Sequence, residues 1–367
     1  MPVAELAAPW LPAAFNQGHT YRDRIREPAA STLSFYAERY PHSDRVVWEQ
    51  RLAAGEITCN GQRLRADGPL APGDRLAWHR PPWQEAAVPV LQRRAIVFSD
   101  GDLLVLNKPS GLPVLPAGGF LQHTLLAQLE AWQAAGLITA GSAADVGSGA
   151  CAGSAGAGCP PRPVHRLGRF TSGLLVCART SASRAWLSAL LRDSSRRPAP
   201  AEPALPPGCH KLYRALTQPL PADWAIGETR ELTTPIGLRP HPRLGRIWCA
   251  APPADPAALP SRSTLTLLER RGESCLVAVA IASGRPHQIR IHTAALGAPL
   301  LGDPLYRPGG LADPEALPGD GGYQLHAHRL SLTAPDGRRL ELEAPLPPLL
   351  VEGAGAARGT GAAGAAG

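Results

Sequence analysis

Residues 163–176 read Pro163-Val164-His165-Arg166-Leu167-Gly168-Arg169-Phe170-Thr171-Ser172-Gly173-Leu174-Leu175-Val176. His165, Arg166 and Arg169 make the first half basic, and Gly168 stands among them. Gly168 brings no side-chain chemistry and relaxes the loop. From Gly173 to Cys177 the residues are apolar, which reads as a buried strand. A helical period follows over Ser181–Arg192, with Trp186, Leu187, Leu190 and Leu191 inward.

Working outward, the run Ile96–Phe98 and Leu103–Leu106 predicts buried strand, stopped by Pro109 and Gly111. Lys108 closes it, either as a site cation or as a structural ion-pair partner. A helix is expected from about Leu121 to Ala135. Residues 136–161 are Gly-, Ala- and Ser-rich and 193–208 are Pro-rich; both read as disordered insertions, because neither buries enough apolar surface to offset chain ordering. Arg196 and Arg197 in the second are possible contacts to a polyanion. Lys211–Leu216 alternates as a strand does. Ser263–Glu269 and Cys275–Ser283 read as an antiparallel hairpin. In Ser283-Gly284-Arg285-Pro286-His287-Gln288-Ile289-Arg290-Ile291-His292, Pro286 suits the first helical position, and Gly297 lies just past the end. Arg285 and His287 sit at that helix N-terminus, a favourable place for an anion. Residues 351–367 read as a disordered tail.

At the N-terminus, 1–30 show no sustained period and read as a loosely attached arm. A helix begins after Ser31, and a second is capped by Ser43 or Asp44 and ended by Gly55. Ile57–Cys59 leads into an Asn60-Gly61 turn, and Pro72-Gly73-Asp74 turns into a strand through Trp78. This order over 31–84 resembles the small RNA-binding module of the S-four type. Arg39, Arg45, Arg51, Arg63 and Arg75 would then supply phosphate contacts; otherwise they are solvated charges on an α/β cap. Residues 85–95 read as a linker.

The chain has 367 residues, 44% of them hydrophobic, which suffices for two domains. Lys plus Arg number 37 against 30 Asp plus Glu, a net charge of +7 that is compatible with a polyanionic partner. Seven scattered cysteines contain no Cys-x-x-Cys pair, which points to a reducing compartment and away from zinc or a disulfide framework. His287 and His292 lack metal-ligand spacing. No signal peptide or membrane-length apolar run is visible. These features predict a cytoplasmic protein without metal or cofactor and off the membrane; the oligomeric state is not fixed by them, a monomer being favoured.

Five motifs over 96–350 carry a more specific resemblance. They are the Asp102–Leu112 opening, the stretch His165–Gly173, Lys211-Leu212-Tyr213-Arg214-Ala215, the pair Gly284–Arg290 with Gly302-Asp303-Pro304-Leu305-Tyr306, and Leu325–Leu330 with Ala344–Pro347. Their order resembles the RluA-type RNA pseudouridine synthases. The resemblance implies an α+β pseudouridine-synthase fold, a mostly antiparallel mixed sheet around a central cleft, acting on uridine in ribosomal or transfer RNA without a cofactor. It implies that Tyr213 lies beneath the target base, that Arg166 fills the space the flipped base leaves, and that His165, Arg169, Arg285, His287 and Lys108 line the RNA path. In that family a catalytic Asp stands where this chain has Gly168, and an Arg, here Arg290, pairs with it. Arg290 is therefore expected to have lost that partner, so that solvent reaches it, another acid replaces Gly168, or it binds RNA phosphate; Asp303 is expected to be a structural turn residue. Two functions fit: an RNA-uridine isomerase, or a non-catalytic RNA-binding relative acting in ribosome assembly or RNA folding.

Overall fold

The apolar run after Gly173 becomes the middle of a large sheet in the computed structural model, which describes residues 9–138, 160–193 and 209–353. The chain divides into two compact units, Pro12–Ala87 with Arg239–Ile247, and the remainder. Most of the two expected insertions, and the tail from 354, lie outside the described residues.

In the smaller unit, strand β1 (His19–Arg24) precedes helices α1 (Thr32–Arg39) and α2 (Arg45–Ala54), and strands β2 (Ile57–Cys59), β3 (Gln62–Arg63) and β4 (Arg75–Arg80) follow. The sheet order is β1-β4-β2-β3, all antiparallel. The helices begin where side chains satisfy free amides: Ser31 accepts from Ser34 N at 3.1 Å and Asp44 from Val47 N at 2.9 Å. Gly55 ends α2 in the left-handed conformation, and Asn60-Gly61 turns with positive φ at both residues. Trp48, fully buried, stacks on Tyr36 with centroids 4.5 Å apart. Residues 19–24, read from sequence as part of an arm, form a full edge strand with Tyr21 opposite Trp78. Their polar, alternately charged residues hide a period that only pairing with β4 reveals.

The larger unit is built on a ten-stranded sheet. Its main strands are β5 (Ile96–Ser99), β6 (Leu103–Lys108), β7 (Thr171–Ala178), β8 (Cys209–Thr217), β9 (Thr229–Leu232), β10 (Ser263–Arg271), β11 (Ser274–Ile281), β12 (Leu325–Thr333) and β13 (Arg339–Glu343), with a two-residue strand, Arg162–Pro163, added to β7. The order is β9-β10-β11-β8-β12-β7-β6-β5, with β13 also on β12. Helices α3 (Leu125–Ala134), α4 (Ser181–Asp193) and α5 (Gln288–Ala295) complete it. The architecture is α+β with a mixed sheet: β7 and β12 run parallel, while the other pairings in this sheet are antiparallel. Every residue of β7 is buried, which explains its unbroken apolar run.

The one parallel contact positions the site. Thr171 pairs with Leu325, Ser172 with His326 and Gly173 with Ala327. Parallel strands enter from the same end, so the loops before β7 and β12 lie side by side. Gly173 makes the approach possible: its φ is +98°, and a Cβ there would overlap the Ala327 carbonyl. Gly173→Ala is expected to cost about 2–4 kcal/mol, combining left-handed strain with forced strand separation. Urea unfolding measures it, and a loss under about 0.5 kcal/mol would contradict the packing described.

Candidate active site

Four segments converge at the entry of β7. The first is the tight turn 168–171, in which Thr171 N donates to the Gly168 carbonyl at 3.1 Å. The loop after β6 holds this turn in place. Gly111 N donates to the Arg169 carbonyl at 2.9 Å, and the Ser110 hydroxyl to the Phe170 carbonyl at 2.9 Å. Lys108 is completely buried, and its ammonium donates to the carbonyls of Pro109, Leu112 and Arg169 at 2.8–2.9 Å. Burial and the Arg169 charge pull its pKa down to about 7, while three carbonyls around the nitrogen favour its charged form. Of its two readings, the structure shows the structural one: Lys108 is a buried stitch between loops. Its partner is no acid: the carbonyls need an N–H donor, not a countercharge.

Helix α5 and the turn after it supply the second and third segments. Arg290 and Asp303 form a two-pronged ion pair, Nε to Oδ2 and Nη2 to Oδ1, both at 2.7 Å, with side-chain exposures of 3% and 0%. Asp303 Oδ1 also accepts from Leu305 N at 2.9 Å and Tyr306 N at 3.3 Å. Arg290 thus has a carboxylate partner, the turn residue Asp303. Burial works against the guanidinium charge, but the hydrogen bonds and charge of Asp303 and the Tyr323 and Tyr306 phenols outweigh it, so the Arg290 pKa is raised. Helix α5 starts two residues later than Pro286 suggested, because His287, at φ +55°, caps it from the left-handed region. Gln288 fixes this entry, accepting from the Ser283 hydroxyl (2.8 Å) and Arg285 N (3.1 Å).

His287 is held neutral. Burial first, then the Arg290 and Arg166 charges, push its pKa to about 3, with Asp303 opposing. Its Nδ1 lies 2.6 Å from the Tyr306 hydroxyl, which itself donates to the Trp248 carbonyl at 2.8 Å. A phenol has one hydrogen, so Nδ1–H must donate to Tyr306 and Nε2 carries the lone pair. A non-glycine residue in the left-handed region, holding a fixed tautomer between two arginines, has the marks of a functional group.

The fourth segment precedes β12. Tyr323, 2% exposed, lies with its ring 4.2 Å from the Arg290 guanidinium carbon and its hydroxyl 3.2 Å from Thr171 Oγ1. A Cβ on Gly168 would overlap that hydroxyl. Pro318, on the same loop, accepts from Arg290 Nη1 at 3.3 Å.

The remaining sequence candidates fall in other places. Arg166 is exposed, with its charge acting on His287. Arg169 donates to the Gly111 carbonyl at 3.1 Å and stacks over Phe120 and Phe170. Arg285 donates to the Pro260 carbonyl at 3.0 Å. His165 accepts from Val176 N at 3.0 Å and has its pKa lowered to about 3 by burial, then by Lys211. It shares a cavity with Tyr213, Lys211 and Arg329. Tyr213 is buried there, and burial raises its pKa, whereas the phenols around Arg290 are Tyr323 and Tyr306. In the smaller unit Arg39 pairs with Asp23, Arg45 with Glu49 and Asp67, and Arg51 stacks on Trp48 and Trp78. Arg63 donates to the Ala54 carbonyl, and Arg75 is exposed. Among the described residues no group of three or more His, Cys, Asp or Glu is placed to hold a metal ion. No helix among them is long and apolar enough to cross a membrane.

Residues 102–295 match the family model described as RNA pseudouridylate synthase. The chain belongs to that family. It is accordingly an isomerase. It is 37% identical over 322 residues to the uncharacterized RNA pseudouridine synthase slr1592 of Synechocystis sp., covering 87% of this chain and 95% of the relative. It is 35% identical over 388 residues to RNA pseudouridine synthase 5 of Arabidopsis thaliana, covering 95% and 98%. Ribosomal large subunit pseudouridine synthase D of Neisseria meningitidis is 29% identical over 323 residues, covering 84% and 72%. Within this synthase, Tyr323 and the pairing role of Asp303 escaped the sequence reading. Tyr323 lies 152 positions from the Thr171 it touches, and only the parallel pairing of β7 with β12 joins them.

Proposed function

We propose that this chain isomerises uridine to pseudouridine in ribosomal or transfer RNA, at the cleft where Gly168, Arg166, His287 and Arg290 meet. The observation that carries the reading is the buried Arg290–Asp303 pair set against an exposed Arg166 and a neutral His287. The reaction breaks the bond from C1′ to N1, turns the uracil and joins C1′ to C5. The target base leaves the stack first, and Arg166 is the cation free to take the vacated space. His287 Nε2 offers an acceptor for a uracil N–H. The name of the Neisseria relative favours ribosomal over transfer RNA. Helices, short strands and an Asn-Gly turn in the smaller unit support an S-four-like RNA-binding role for 31–84, with Arg63 and Arg75 better placed for phosphates than the paired Arg39 and Arg45. The free cysteines fit the cytoplasm.

Pseudouridine mapping of total RNA from cells with and without this chain tests the proposal. A site lost on deletion and restored by the wild-type chain is expected; unchanged maps would sink it. Binding of the restored RNA is expected to weaken with salt, by about 0.7 log units per phosphate contact and log unit of salt for single strands. A flat response would remove the phosphate-binding surface from the account.

A further inference from the structure

We propose that the Tyr323 hydroxyl is the group that acts on the ribose in this chain, in the place a side chain at 168 would occupy. The inference rests on the isomerase reading above. Gly168 is exposed at the turn and its φ is outside the left-handed region, so its backbone admits a side chain. What excludes one is the Tyr323 oxygen. Of the next atoms around a Cβ there, Thr171 Oγ1 at 3.3 Å would have to give by a few tenths of an ångström and Tyr323 Cζ at 3.5 Å is an ordinary contact. The glycine thus makes room for a hydroxyl. That hydroxyl is held by Thr171 Oγ1 at 3.2 Å, and its ring has the Arg290 guanidinium 4.2 Å from its centroid. The guanidinium on the ring face fixes the ring against helix α5.

The neighbouring carboxylate is not available for the same work. Both Asp303 oxygens bind Arg290. Asp320, the last acid before β12 in sequence, accepts from Leu317 N at 2.8 Å, and its charge acts on Arg169.

Tyrosine is an established type of nucleophile at an anomeric sugar carbon. The step is balanced without a cofactor. The Tyr323 oxygen bonds to C1′ as the C1′–N1 bond breaks, and the phenol proton passes to the departing uracil. After the uracil turns, C5 bonds to C1′ and displaces the phenol oxygen, which then takes the proton lost from C5.

The test uses the full chain, in cells lacking it and on an RNA fragment carrying the restored site. Y323F is expected to lower the single-turnover rate roughly a thousand-fold or more, as removal of a nucleophile does, with an unchanged unfolding midpoint. G168D alone is expected to be as inactive, because its side chain meets the Tyr323 oxygen. G168D/Y323F, in which that oxygen is gone, is expected to regain measurable activity. D320N is expected to retain the wild-type rate. A 5-fluorouridine version of the fragment should leave a denaturant-stable adduct mapping to Tyr323. Y323F isomerising at the wild-type rate, D320N losing activity while Y323F keeps it, or an adduct on another residue overturns the proposal. A wild-type chain that modifies no RNA would instead bring down the isomerase reading, and this inference with it.

Discussion

Asp303→Ala is expected to destabilise the larger unit by about 3–5 kcal/mol, the cost of leaving one member of a buried ion pair uncompensated. Arg290 is 3% exposed and Asp303 accepts from its Nε and Nη2 at 2.7 Å, so water cannot replace the lost partner. The same change frees two amides, Leu305 N and Tyr306 N, that Asp303 also satisfies. Urea unfolding of wild type and variant measures the loss. The double variant Arg290→Met, Asp303→Ala should be less destabilised than Asp303→Ala alone, because the uncompensated charge is then gone. Equal losses in single and double variants would show that the amide contacts, and not the charge, dominate. A loss below about 1 kcal/mol would mean that solvent reaches the guanidinium.

Acid should unfold the chain early. Burial above all holds His165 and His287 at pKa values of about 3, and His292 and His326 at about 4. Secondary influences are the Lys211 charge on His165, the Arg290 and Arg166 charges on His287, and the His328 charge on His326. An unfolded histidine titrates near 6.5. Between that value and the folded one, the unfolded state binds protons that the native state refuses, so stability falls as pH falls. The contribution is complete above about pH 6.5 and declines steadily toward pH 3–4. By pH 4.5 each histidine has moved about two units below its unfolded value, at about 1.4 kcal/mol per unit. Four such groups give a loss on the order of 10 kcal/mol, comparable to the whole stability of a typical domain. Melting temperatures from pH 7.5 to 4.5 test this. A level profile down to pH 5 would contradict the neutral state of these rings.

Local chemistry makes much of the fold legible from sequence. The caps at Ser31 and Asp44, the left-handed Gly55 and the Asn60-Gly61 turn lie where short-range hydrogen bonding and glycine backbone freedom require. Strand β7 is legible from its apolar run, and the β10–β11 hairpin from two alternating runs on one turn. Strand β1 is not, because at a sheet edge its polar residues need no apolar period. Lys108 was ambiguous for a related reason: a lysine after a buried strand serves as a cleft cation or a carbonyl anchor, and nothing nearby in sequence separates the two.

The sequence by itself determined the family, through five motifs in fixed order, and named Gly168, Arg166, His287 and Arg290 as residues of one region. It did not determine what stands at Gly168 or what balances Arg290. Those answers lie at Tyr323 and Asp303. Asp303 reaches Arg290 through the turn after α5, and Tyr323 reaches Gly168 through the parallel register of Thr171 with Leu325. Both are contacts between segments that carry no mutual signal in their local composition. Only packing, which selects which strand ends lie side by side, decides them.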